Sequence, residues 1–76
     1  MKKRMISRSV SFIKKNEVYV FYIDFSFIFL RGIAARLMDA ILEKASLDGW
    51  FNLDGVPEDF ILYLISKKIV VEEAET

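Results

Sequence analysis

The sequence predicts an α+β domain, a three-stranded antiparallel sheet followed by a small helical bundle, and three observations carry that expectation. β-branched and aromatic residues crowd positions 10–30 and are broken twice by short polar groups, the pattern of strands joined by turns. Beyond Gly32 the apolar period changes from 2 to 3.6. Pro57-Glu58-Asp59 then opens a second helix, Pro suiting the first turn and the acids the positive end of the dipole. A sheet first and helices afterwards is an α+β order.

The elements follow in chain order. Residues 1–8 are basic and lack a sustained period, so they are expected as a flexible lead-in. Strands are expected over about 9–14 and 17–24, with Lys14-Lys15-Asn16-Glu17 as the polar break between them. Asp24-Phe25-Ser26 is a second turn, because Asp and Ser bond locally to backbone, and Phe27-Ile28-Phe29-Leu30 is the third strand. Ile33, Ala34, Leu37, Met38, Ile41, Leu42 and Ala45 then mark one face of an amphipathic helix, with Arg36, Asp39, Glu43 and Lys44 opposite. Ser46-Leu47-Asp48-Gly49 ends it, Gly49 being suited to a left-handed cap. Its echo, Leu53-Asp54-Gly55, reads as another turn and not as a repeat module. Trp50 to Val56 is mixed and is expected as one abbreviated helical turn. The second helix runs to about Lys68, Ile69-Val70-Val71 adds a short extended piece, and residues 72–76 are expected as a disordered acidic tail. The structured domain is thus expected over 9–71.

Composition narrows the chemistry. The chain has 76 residues, one small domain, and contains neither His nor Cys. A disulfide frame, a zinc finger, a Cys/His nucleophile and an imidazole base are therefore excluded. A domain this small buries only about 60% of its unfolded surface, so without a staple it needs a dense core, an oligomer or a bound partner. The 11 basic and 11 acidic residues balance, but not along the chain. Residues 1–16 hold six basic residues and no acid, a net of +6; residues 17–76 hold five basic and 11 acidic, a net of −6. The apolar run Val18–Leu30 has 13 residues and includes Asp24, short of the ~20 a membrane span requires. No membrane partner is expected, and a Cys-free chain suits the cytoplasm.

No motif points to catalysis. Asp39 and Glu43 share a helical face, but nothing else converges on them, and a solvated face is the simpler reading. Asp48 and Asp54 lack the alternating ligands of a calcium loop and read as turn or cap residues. P-loop, dinucleotide fingerprint and nucleophile elbow are absent, so neither cofactor nor metal is expected. A strand-and-helix domain could also be a small DNA-binding regulator. A base-reading helix would need basic or polar residues where the second helix has Glu58 and Asp59, and the acidic 17–76 segment would repel phosphate, so no nucleic acid is expected.

Apolar surface exceeds what one core needs. Six consecutive residues, Phe60 to Ile65, are apolar, and neither register of the strands is clearly polar. A homodimer covering the surplus is one reading. Another is an interaction module whose open strand edge and neighbouring helix take up a peptide. A third is a docking or inhibitor subunit of a larger protein.

The passage Leu30-Arg31-Gly32-Ile33-Ala34-Ala35-Arg36-Leu37, the Leu47-Asp48-Gly49 turn and a last helix ending Lys67-Lys68-Ile69-Val70 resemble the RiPP precursor peptide recognition element. This winged-helix-like family includes the pyrroloquinoline quinone biosynthesis protein D, and the resemblance spans roughly residues 9 to 72. It implies a non-catalytic, winged-helix-like domain that binds the leader segment of a ribosomally made precursor by strand addition. The domain would then deliver the peptide to a modifying enzyme or leader peptidase. Carried over by position, the third strand supplies Phe27, Ile28, Phe29, Leu30 and Arg31, and the last helix supplies Ile61, Leu62, Ile65 and Lys68. Arg31 and Lys68 would meet acidic leader residues. Two departures stand out: only Trp50 to Val56 remains of the family's middle helix, and Arg31 cannot cap the first helix through a side-chain oxygen.

Overall fold

A computed structural model describes residues 2–52 and 55–74. Its elements are β1 (Lys2–Ile6), β2 (Ser11–Lys15), β3 (Val18–Ile23), β4 (Ser26–Leu30), α1 (Ile33–Lys44), β5 (Trp50–Phe51), α2 (Glu58–Ser66) and β6 (Val70–Ala74). The fold is α+β, with two three-stranded antiparallel sheets among the described residues where a single sheet was expected: β2-β3-β4 and β5-β1-β6.

The first of these is the expected meander. Each hairpin closes through two residues, Asn16-Glu17 and Asp24-Phe25, all at positive φ. Positive φ at both central positions matches the right-handed twist of the flanking strands. Phe25 is unusual there: a bulky side chain at φ 62 costs roughly 1–2 kcal/mol, yet it is 94% exposed. Along β3 the side chains alternate, Tyr19, Phe21 and Ile23 buried and Tyr22 exposed.

The second sheet corrects three expectations. Residues 2–6, expected as a flexible lead-in, form its middle strand, with Met5 buried. Glu72, Glu73 and Ala74, expected as disordered tail, belong to β6, while residues 75 and 76 lie outside the described residues. Trp50-Phe51 is a strand and not a helical turn; residues 53 and 54 lie outside the described residues. Opposite charges explain the first two. The register sets Lys3 against Glu73 and Arg4 against Glu72, so the basic and acidic stretches form each other's partner. Arg4 also donates to both oxygens of Glu58 at 3.0 and 3.1 Å, tying β1 to α2.

Both helices lie close to their expected bounds. α1 buries Ala35, Met38 and Ile41 and stops at Lys44, with Ala45 already extended. Gly49 does not cap it; at φ 86 it shapes the following turn and its carbonyl accepts the Ile6 N–H at 2.9 Å. α2 starts at Pro57 with Glu58 and Asp59 in its first turn and buries Ile61 and Leu64. It ends in a Schellman motif. Lys68 takes φ 64, its N–H reaches the Ile65 carbonyl, and the Ile69 N–H reaches that of Leu64, both at 3.0 Å. Phe21, Met38, Ile41, Ile61, Leu64, Ile69 and Val70 form the centre of one core shared by both sheets and both helices.

Candidate peptide-binding edge

β4 is the last strand of its sheet. It pairs with β3 from Tyr19↔Leu30 to Ile23↔Ser26, and no strand among the described residues pairs with its other side. Beside its first half lies a cavity of about 290 Å³ that reaches the C-terminal end of α2. Ser26, Phe27 and Ile28 line one side, Ser66, Lys67 and Lys68 the other.

The structure divides the nine expected contact residues. Phe27, Ile28 and Lys68 come together around this cavity. Phe29 is exposed on the sheet's outer face, and Leu62 is exposed on α2, outside the cavity lining. Leu30 and Ile61 are buried in the core, so their side chains are not offered to a ligand, and Ile65 is half-buried against it. Arg31 stands at the far end of β4, its guanidinium 5.6 Å from the Phe29 ring centre. Sequence reasoning missed Ser66 and Lys67. The apolar run pointed to mid-helix, whereas the cavity beside β4 is lined by the end of α2 and the two residues after it.

Charge at the cavity is partly spent. Lys68 Nζ donates to Asp24 at 2.9 Å, linking the end of α2 to the β3–β4 turn. Both groups are largely exposed, so the pair adds little stability and mainly fixes direction. Lys67 Nζ lies 5.8 Å from the Tyr63 ring centre.

Asp39, weighed above as half of a carboxylate pair, has a structural partner set. It accepts from the Tyr19 hydroxyl and from Lys14 Nζ at 3.0 and 3.3 Å, which ties β2 and β3 to α1. The Tyr19 hydrogen bond, with Lys14 second, holds the Asp39 carboxyl below its usual range. Burial, reinforced by Asp39, pushes the Tyr19 phenol up to about 12. Asp48 sits in a turn, its N–H donating to Ser46 Oγ at 3.2 Å; Asp54 lies outside the described residues. Among the described residues no helix is long and apolar enough to cross a membrane. Comparison with protein families, with curated proteins and with solved structures gives no match.

Proposed function

We propose that the chain is a non-catalytic, winged-helix-like peptide-binding protein that takes the leader segment of a ribosomally made precursor as an added strand on β4. It then presents that peptide to a separate cytoplasmic modifying enzyme or leader peptidase. The observation that carries this reading is the unpaired side of β4 lying beside the cavity that leads to α2. An edge strand offers backbone donors and acceptors in fixed register, each hydrogen bond contributing about 0.5–1.5 kcal/mol net. Side-chain pockets then supply selectivity, and here the pocket is apolar at Phe27 and Ile28 and cationic at Lys67, while Lys68 is paired with Asp24 of the same lining.

The strand added to β4 would pair with the backbone of Phe27 and Phe29, because the two-residue turn at Asp24-Phe25 commits the N–H and C=O of Ser26, Ile28 and Leu30 to β3, and the buried Leu30 side chain is not offered either. Of the α2 residues carried over from the resemblance, Lys68 is the one on the cavity wall. Titrating the leader of a precursor encoded beside this gene into labelled protein should move the amides of residues 27–31 and of 66–68. Saturating leader that leaves both groups unmoved would sink the reading.

A further inference from the structure

A second cavity, about 240 Å³, lies at the other end of β4, between the β2–β3 turn and the first two turns of α1. Its charged lining is Lys14, Glu17, Arg31, Arg36 and Asp39. Lys14 and Asp39 neutralise each other at 3.0 Å. Neither Arg31 nor Arg36 forms an ion pair among the described residues, and Glu17 forms none either. The lining residues with charge outside an ion pair are therefore Arg31 and Arg36 against Glu17. The wall is also open at Gly32, where nothing lies within 4 Å of the position a Cβ would take.

We propose that this cavity is an anion subsite of the peptide-binding edge, in which Arg31 and Arg36 hold the side-chain carboxylate of an acidic residue of the bound peptide. This rests on the reading of β4 given above. Arg31 belongs to both places: it follows the last residue of β4, lies over Phe29 and lines the cavity. A guanidinium presents a planar fork of N–H donors that matches two carboxylate oxygens, and such charge-assisted pairs exceed neutral hydrogen bonds in strength. The two cations first expected to meet acidic leader residues thus separate. Lys68 already has Asp24 as its partner, whereas Arg31 gains Arg36 as a second uncommitted cation.

Glutarate is the carboxylate probe and inorganic phosphate its comparison, each titrated into the isotope-labelled full chain at constant ionic strength. Glutarate should shift the Gly32 and Ala35 amides and the Arg31 and Arg36 side-chain N–H signals together and saturably. The double variant Arg31→Gln, Arg36→Gln should weaken that binding roughly tenfold or more. Both arginines are exposed, so the variant keeps the fold. Shifts spread over all lysines and arginines, or surviving in the double variant, would overturn the proposal. So would binding of phosphate alone, which would give the cavity to a phosphorylated ligand. Glutarate has no backbone to pair with β4, so a failure of strand addition leaves these shifts in place, and a failure here leaves strand addition in place.

Discussion

The two sheets have the same strand count and the same antiparallel pairing, but they dispose of their outward side chains in opposite ways. In β5-β1-β6 the polar positions are matched across strands, Lys3 to Glu73 and Arg4 to Glu72, and Arg4 is clasped again by Glu58. In β2-β3-β4 the outer face runs through Ile13, Val20, Tyr22, Phe27 and Phe29, with Tyr22 and Phe27 ring centres 4.9 Å apart and Phe27 still 64% exposed. The charged sheet closes the molecule through its own partners, while the aromatic one keeps contact surface in reserve. A domain this small can least spare apolar residues, so their position on the sheet that also carries the free side of β4 supports the proposal that this sheet takes the peptide.

The largest test of this contrast strikes where the two sheets share a core. Phe21→Ala should cost about 3–5 kcal/mol, enough to unfold much of the population, as a urea titration would record. An outer-face change on the same sheet, Phe29→Ser, should stay within about 0.5 kcal/mol of the parent on the same titration. Equal losses from the two would mean that the outer face is core and not surface.

Next comes the clasp on the charged sheet. Arg4→Gln keeps the stem but removes the cation facing Glu58 and Glu72. Its urea midpoint should fall between those of Phe21→Ala and Phe29→Ser, and the loss should shrink in high salt. Dependence on pH separates the sheets further. The Arg4 hydrogen bonds hold the Glu58 carboxyl below its usual range, as the Tyr19 and Lys14 bonds do for Asp39. Their stabilisation is present above the unfolded carboxylate value of about 4 and is lost as pH falls through the lower folded values. Tyr19 has the opposite sense: its contribution is intact below an unfolded value of about 10 and is lost as pH rises toward about 12. Stability measured against pH should therefore decline at both ends. Tyr19→Phe should flatten the alkaline limb and, by removing the main bond that lowers Asp39, shrink the acid limb to the share of Glu58 and of Lys14 on Asp39.

The smallest effect has the reverse sign. Phe25→Gly relieves the positive φ at the β3–β4 turn and should raise stability by roughly 1 kcal/mol, read as a higher urea midpoint. A drop would mean that Phe25 makes a folded-state contact worth more than its strain.

Legibility in the sequence followed the same division. The β2–β3–β4 meander was readable because each strand pairs with its neighbour across a two-residue turn, so period and punctuation are local. The helices were readable for the same reason, through the spacing of Met38 and Ile41 and the Pro57 start. The start of β6 was readable at Val70-Val71, but its continuation through Glu72 and Glu73 and all of β1 were not, because Arg4 and Glu72 meet across 68 residues and those stretches alone are too polar to signal a strand. The candidate site was half visible. Alternation identified β4 as apolar on both sides, but that the end of α2 and not its middle lines the cavity beside it depends on how the helix sits on the sheet, and no periodicity encodes that.

The antiparallel pairing of β1 with β6 has an engineering consequence. The register brings residues 2 and 74 opposite each other on adjacent strands of the sheet that does not contain β4. A chain that enters and leaves at one place can be spliced into a surface loop of another protein, or rejoined with new termini elsewhere, without disturbing its far side. A graft made at that pair should carry the β4 edge with it intact.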